Sequence, residues 1–322
     1  MIITLERKLS SAGRAALLTL LKNRIPGARF AAVKGGLKVL GLPPQKAADA
    51  APLIENLPGA AGVDFLDEEL CPLACAKDKP VFSRPLDFSG KQVLIAGPCA
   101  VEDEASYLSS ARALKAAGAH ALRAALFKPR SSPYAFQGLG WAGLPIIARA
   151  KKITGLPLVT EITDPRQADR LAAVCDVLQI GARNMRNYEL LKEAGRSGRP
   201  VLLKRAMRAT LREWLLSAEY LLKYGVKKLI LCERGDSLAT PGAALDFGLM
   251  RQAKKLTGLP VIADPSHAAG AREAARRLAL TALKRGADGL LLEAAANPCA
   301  ARVDGRQTVS VETFLKIARK AR

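Results

Sequence analysis

An α/β architecture in two parts follows from three patterns in the 322-residue sequence. After Lys91, eight short runs rich in Val, Ile and Leu alternate with helical stretches. Apolar runs spaced by helices imply parallel pairing, and eight such units close into a (β/α)8 TIM barrel. Before residue 70 the signals come in the order βαββαβ, the split, ferredoxin-like plan of a small α+β domain. An open doubly wound sheet is the competing fold, but no G-x-G-x-x-G turn follows the first barrel strand. The expected division is a small domain over residues 1–70, a charged, Pro-containing linker over 71–86 and the barrel over 87–322.

In the small domain, Ile2 to Leu5 predicts a strand, and Ser11 to Asn23 a helix with Leu17, Leu18 and Leu21 on one face. Arg29 to Val33 and Leu37 to Leu42 read as a hairpin around Lys34-Gly35-Gly36. Pro44 to Asn56 is an alanine-rich helix and Val63 to Leu66 the last strand. The domain holds no His, and Cys71 and Cys75 lie beyond its final strand without other nearby ligands, so it reads as a binding or regulatory part. The barrel strands are expected at Val93 to Ala96, Ala121 to Leu126, Leu158 to Ile162, Val177 to Ile180, Val201 to Leu203, Leu229 to Cys232, Val261 to Ala263 and Gly289 to Leu292.

Composition narrows the class. Hydrophobic residues make up 49% and charged ones 25%, enough for a real core and against disorder. The longest uncharged run, Ser131 to Ala148, carries Ser, Gln, Gly and two Pro and is no membrane span. The N-terminus is charged by its sixth residue and lacks an apolar segment, which predicts no signal peptide. Six cysteines are too sparse for a disulfide scaffold, so reduced thiols and a cytoplasmic location are expected. Fifty Lys and Arg against 29 Asp and Glu give a net charge of +21. The basic residues are dispersed and aromatics are only 5%, a pattern that speaks against nucleic acid and for small phosphorylated ligands.

Active-site groups of such barrels sit at the C-terminal strand ends and the loops just after them. Read in order, those positions give Cys99; then Arg123, Lys128, Arg130, Ser131 and Ser132; Glu161 and Asp164; Gln179, Arg183 and Asn184; Lys204 and Arg205; Glu233 and Arg234; Asp264 and His267; and Glu293 followed by Asp304. Cys99, His267, Glu293 and Asp304 offer a thiolate, an imidazole and two carboxylates, a mixed set suited to a borderline divalent transition metal. Taken singly, Cys99 reads equally as a small buried hydrophobe and His267 as a satisfied rim histidine. The chain has only one other histidine, His120, at the start of the second strand on the opposite rim. Arg123, Lys128, Arg130, Arg183, Lys204 and Arg234 would repel one another in the barrel mouth without anions, which points to phosphorylated or carboxylated substrates. Glu161 and Asp164 are available there for acid-base work.

These segments resemble the 3-deoxy-D-arabino-heptulosonate 7-phosphate (DAHP) synthases, in the class with an N-terminal ferredoxin-like regulatory domain. GPCAVE, LRAALFKPRSSPYAFQGLG, TEITD, QIGARNM, LLKRA, CERG, ADPSH and VDGRQ come in that family's order, and KPRSSPYAFQGLG is long and specific. The resemblance implies a transferase that condenses phosphoenolpyruvate with erythrose 4-phosphate, in an aldol-type reaction releasing phosphate, as the first step of the shikimate pathway to chorismate and the aromatic amino acids. It implies one divalent metal (Mn, Fe, Co or Zn) on Cys99, His267, Glu293 and Asp304. It assigns phosphoenolpyruvate to Arg123, Lys128, Arg183, Lys204 and Arg234, and the aldose phosphate to Arg130 and Ser131. Lys128 then reads as proton donor to the new hydroxyl, and Glu161 as orienting the attacking water. A Tyr or Phe effector at the N-terminal domain and a homotetramer are further implications; no nucleic-acid or membrane partner is expected.

The chain departs from the family pattern at four places. Arg-Gly-Gly after the second strand is Arg123-Ala124-Ala125, and Glu-Val-His-Pro after the eighth is Glu293-Ala294-Ala295-Ala296. Lys-Arg-Gly is Lys204-Arg205-Ala206, and Thr-Arg-Asn-Thr-Leu-Asp has become Thr240-Pro241-Gly242-Ala243-Ala244-Leu245-Asp246. Two other readings stand beside the first: 3-deoxy-D-manno-octulosonate 8-phosphate synthase, which uses arabinose 5-phosphate, and a catalytically degraded barrel acting as a metabolite sensor. The complete set of ligand residues favours an active enzyme.

Overall fold

A computed structural model describes residues 1–77, 82, 84–236 and 245–321. The chain forms two compact units, Met1–Cys75 and Ala76–Arg322. In the first, β1 (Ile2–Leu5), α1 (Ser11–Arg24), β2 (Arg29–Val33), β3 (Gly36–Leu40), α2 (Pro44–Glu55) and β4 (Ala60–Asp64) are followed by a single turn, α3 (Asp67–Leu70). The sheet is antiparallel throughout in the order β2-β3-β1-β4, the ferredoxin-like arrangement. Ser10 starts α1 by accepting the Gly13 N–H at 3.0 Å. The helix then buries Leu17 and Leu21, with Leu18 only partly covered, against Ile3, Leu37, Val39 and Ile54. Two strand ends differ from expectation. β3 stops at Leu40 because Gly41 turns the backbone to φ +77°. The last strand lies earlier, at Ala60–Asp64, because Ile2 to Leu5 provide its ladder while the Asp64 carboxylate takes the Phe65 N–H in a turn.

The second unit is the barrel. Its strands are β5 (Val93–Gly97), β6 (Ala121–Arg123), β7 (Leu158–Ile162), β8 (Val177–Ile180), β9 (Val201–Lys204), β10 (Leu229–Glu233), β11 (Val261–Ala263) and β12 (Gly289–Ala295). Each pairs in parallel with the next, and β12 pairs with both β11 and β5, which closes the ring. Around it run α4 (Glu104–Ala116), α5 (Leu144–Thr154), the short α6 (Ala168–Ala172), α7 (Tyr188–Arg196), α8 (Leu211–Lys223), α9 (Phe247–Thr257), α10 (Pro265–Ala269), α11 (Arg272–Lys284) and α12 (Val311–Ala318). Val93, Ile95, Val159, Val177, Leu202, Ile230, Ile262 and Leu291 fill the interior. Phe82 and Leu86, in the stretch the sequence marks as a link, belong to this same cluster, with Phe88 edge-on to Phe82. β6 ends at Arg123, sooner than expected, whereas β12 runs on through Ala294 and Ala295 to pair with β13 (Val309–Ser310). The altered stretch from Thr240 to Ala244 lies outside the described residues. Among the described residues no helix is long and apolar enough to cross a membrane.

Candidate active site

The barrel brings all four metal-capable side chains to one spot. Cys99 follows β5, His267 sits on α10 just after β11, Glu293 lies within β12 and Asp304 in the loop beyond it. β12 and β5 are in register with Glu293 beside Gly97, which sets Glu293 next to the Cys99 loop. The four donor atoms lie within 4.8 Å of one another. Cys99 Sγ is 3.1 Å from Asp304 Oδ2, and His267 Nε2 is 3.3 Å from Glu293 Oε1 and 3.9 Å from Asp304 Oδ2. Glu293 is fully buried, yet its Oε1 has no hydrogen bond, while Oε2 accepts from Gln307 Nε2 at 2.7 Å. A buried carboxylate oxygen without a donor, facing a thiol, an imidazole and a second carboxylate, fits a divalent cation of the kind expected from the sequence. Burial, and then the Glu293 charge, push the Cys99 thiol well above its ordinary range.

Around this cluster lies a floor of buried ion pairs. Arg123 Nη2 is 3.4 Å from Glu293, Lys128 Nζ 3.2 Å from Glu161, and Lys204 Nζ 2.5 Å from Asp264, and all six side chains are at most 9% exposed. Burial works against the charges of Arg123, Lys128, Glu161, Asp264 and Glu293, but their charged neighbours prevail. Glu161 is held below the usual carboxylate range by Lys128 and Lys204, and Lys128 above the usual ammonium range chiefly by Glu161. Asp264 falls well below its ordinary value beside His267 and Lys204. Its Oδ2 stands 2.8 Å from His267 Nδ1, though not along the line of a ring N–H bond, and its Oδ1 accepts the His267 backbone N–H at 3.1 Å. Asp264 was visible in the sequence only as a strand-end acid; the structure makes it the link between Lys204 and His267.

Other donors are left without an anion. Arg123 keeps Nε and Nη1 buried with no hydrogen-bond partner. Arg183 Nη1 donates to the Pro129 carbonyl at 2.8 Å and Arg234 Nη2 to the His267 carbonyl at 3.2 Å, and among the described residues neither has an acidic partner. Arg183 and Arg234 line two adjoining cavities. One, of about 470 Å³, is lined by Lys128, Glu161, Gly181, Arg183, Arg186, Lys204, Ala206, Arg234 and His267. The other, of about 510 Å³, shares Lys128, Arg183, Arg234 and His267 but opens toward Arg130, Ser131, Ser132, Asp304 and Gln307. Arg130 and Ser131 are exposed at its outer end, away from the buried pairs. Sequence reading missed Arg186, which stands in a turn after β8 with Nη2 on Glu213 at 2.7 Å, and Gln307. Arg205 and Glu233, strand-end residues by sequence, spend their charges on each other in a buried two-point pair.

Two of the alanine departures are packed without visible damage. Ala124 and Ala125 are buried beneath the rim, at 1% and 4% exposure. Ala294 and Ala295 carry the extended ladder to β13, and the Ala296 N–H donates to Ser110 Oγ at 3.0 Å, a bond a proline there could not make. Ala206 lines the first cavity. Gly181, in contrast, leaves room for a catalytic-rim side chain: a Cβ there would lie 2.1 Å from Glu161 Oε1, so the carboxylate would have to move.

A closed eight-stranded barrel whose C-terminal rim joins a mixed Cys-His-Glu-Asp cluster to two cation-lined cavities defines the class: a barrel enzyme with a metal-capable centre. The chain belongs to the DAHP synthetase I family, which matches residues 88–322. It is 38% identical over 234 residues to the phospho-2-dehydro-3-deoxyheptonate aldolase of Thermotoga maritima, covering 72% of this chain and 69% of that one. The crystal structure of a phospho-2-dehydro-3-deoxyheptonate aldolase (DAHP synthase) from Thermotoga maritima superposes with a TM-score of 0.84 at 30% identity, covering 99% of this chain and 95% of that chain. A 2-dehydro-3-deoxyphosphooctonate aldolase from Syntrophotalea carbinolica is 32% identical over 241 residues, 69% of this chain and 87% of its own.

Proposed function

We propose that this chain condenses phosphoenolpyruvate with erythrose 4-phosphate to 3-deoxy-D-arabino-heptulosonate 7-phosphate and phosphate, with one divalent transition metal (Mn, Fe, Co or Zn) on Cys99, His267, Glu293 and Asp304. The observation that carries this reading is the meeting of two cation-lined cavities over that four-residue cluster. One cavity suits the phosphate and carboxylate of phosphoenolpyruvate, with the charges of Lys128, Arg183, Lys204 and Arg234 in its lining, and Arg123, beside Glu293, is assigned to the same substrate. The other suits an aldose whose phosphate reaches Arg130 and Ser131. Cys99, His267, Glu293 and Asp304 would hold the metal, which would supply Lewis-acid polarisation of the aldehyde. The arginines fix the enol face so that its C3 adds to the carbonyl carbon, a positioning effect rather than covalent catalysis. Lys128, kept protonated beside Glu161, gives its proton to the forming alkoxide. Glu161 then orients the water that adds at C2; its first proton restores the Lys128 ammonium, and the second leaves with phosphate as the C2–O bond to phosphate breaks and C2 becomes the ketone.

Phosphate release from phosphoenolpyruvate tests this, with erythrose 4-phosphate or arabinose 5-phosphate and with or without EDTA. Turnover on the four-carbon sugar, abolished by chelator and restored by metal, supports the reading. Turnover on the five-carbon sugar transfers the chain to the octulosonate chemistry. Silence on both with metal restored means a binding protein.

The N-terminal unit is assigned a regulatory role, with Tyr or Phe as effector and a homotetramer as the working form. A cavity of about 270 Å³ between apolar Val39, Leu42 and Ala47 and charged Lys38 and Glu69 supports a small zwitterion with an apolar side chain. Inhibition by Tyr or Phe, and mass by light scattering, test the two points separately.

A further inference from the structure

The fourth ligand sits on a different kind of support from the other three. Cys99, His267 and Glu293 hang from the barrel, on or just past β5, β11 and β12, whereas Asp304 belongs to the loop 302–308 and takes φ +55°. That conformation is uncommon for a residue with a Cβ and has to be held. Within the loop, the Asp304 carbonyl accepts from the Gln307 N–H, the Thr308 N–H and Thr308 Oγ1 at 3.0 to 3.2 Å. Three side chains from outside or across the loop do the rest. Glu102, three residues past Cys99, accepts the N–H groups of Arg302 and Val303 at 2.8 to 3.0 Å. Arg272, five residues past His267, donates Nε to the Thr308 carbonyl at 2.7 Å and Nη2 to the Gly305 carbonyl at 3.0 Å, and its own N–H meets the Arg306 carbonyl. Gln307 reaches back to Glu293 at 2.7 Å. Each barrel-borne ligand therefore has one tether to the loop that presents the fourth.

We infer that Glu102, Arg272 and Gln307 are positioning residues that clamp Asp304 onto the metal centre, so that affinity and choice of metal depend on this loop latch. The inference rests on the metal reading of the four ligands. Glu102 and Arg272 touch no donor atom of the cluster; they bind the backbone of 302–308, and Arg272 also reaches Cys299 Sγ at 3.9 to 4.0 Å. Outer partners of a ligand typically change metal affinity about 10–100-fold, and a latch with three ties should lose about tenfold for one of them.

The test uses the whole chain and Co²⁺. Affinity is measured by titration and by the near-ultraviolet thiolate-to-cobalt band from Cys99, for wild type, Glu102→Gln, Arg272→Met and Asp304→Ala. The two latch variants should bind about tenfold more weakly while keeping the thiolate band, since Cys99 itself is untouched. In the Asp304→Ala background the same substitutions should cost nothing more, because there is no ligand left to position. Glu102→Asp is a second variant, expected to recover part of the affinity. Equal affinity of wild type and latch variants overturns the inference alone. Additive losses on top of Asp304→Ala also overturn it and make the effect a general loosening. A wild type that takes up no cobalt removes the metal reading and the latch together.

Discussion

The two histidines of this chain stand at opposite ends of the same barrel and do opposite things. His120 precedes β6 at the N-terminal rim, where its Nδ1 accepts the Leu94 N–H at 3.0 Å and its own N–H pairs with the Leu94 carbonyl. Burial, and then Lys91, lower its pKa, so it stays neutral and acts as a piece of the β5–β6 ladder. His267, at the C-terminal rim, has Asp264, Glu293 and Asp304 within 3.9 Å of its ring. The difference lies in what each end has to offer. One rim is plugged by Phe82, Leu86 and the apolar first layer of the strands, while at the other Arg123, Glu161, Lys204, Glu233 and Glu293 sit at or near strand ends. Residue type alone does not assign a role here; the strand end at which the residue lands does.

The sharpest way to break that comparison is to remove each imidazole. His267→Ala takes one of the four proposed ligands from the cluster and should abolish stoichiometric metal binding. If the centre supplies the several kcal/mol usual for a Lewis acid, turnover should fall on the order of a thousandfold. Turnover near wild type with metal present would make His267 an ordinary rim residue. Next in size is Lys128→Met. It removes the proposed proton donor, a role worth about 10²–10⁴ in rate, and leaves the Glu161 carboxylate buried without its main partner. Turnover within a few fold of wild type would take Lys128 out of the chemistry. Third comes Gly181→Ala. The added methyl cannot coexist with Glu161 Oε1 at 2.1 Å, so Glu161 must rotate and loosen Lys128. A rate drop of about tenfold, of the kind a slight misplacement produces, should appear with little change in melting temperature. Unchanged kinetics would show that the Lys128–Glu161 pair has no part in the reaction.

Much of this was legible before any coordinates. The strands Leu158 to Ile162, Val177 to Ile180 and Val261 to Ala263 fall where apolar runs bounded by turns put them, since buried parallel strands leave a continuous hydrophobic trace. The C-terminal strand ends then collect Cys99, Glu161, Lys204, His267 and Glu293 by topology alone. What stayed hidden has a common cause, in that it depends on side-chain-to-backbone bonds between distant segments. Glu102 and Arg302 are 200 residues apart and nothing in their spacing marks them. β13 and the extension of β12 rest on Ala294 and Ala295, which carry no strand signal of their own and pair because Val309 and Ser310 lie alongside. Phe82 and Leu86 sit in a stretch whose charge and proline conceal two core residues.

The smallest effect belongs to the other histidine, and its sign can be worked out. The folded pKa of His120 is lowered from its ordinary 6.5, so the unfolded chain binds the proton more readily. Its stabilising part is therefore fully present above that pH and is lost as the pH falls through the lowered value. His120→Ala should cost about 1 kcal/mol near neutral pH, the usual worth of one hydrogen bond, with kcat unchanged. His120→Asn puts an oxygen where Nδ1 sits and should keep the Leu94 N–H satisfied without titrating. Urea unfolding at pH 7.5 and again below the ordinary histidine range separates the cases. The wild-type advantage over His120→Ala should shrink in acid, and that of His120→Asn should not. A loss of turnover in either variant would overturn the division of labour between the two rims, because nothing at the N-terminal end of the barrel should reach the chemistry at the other.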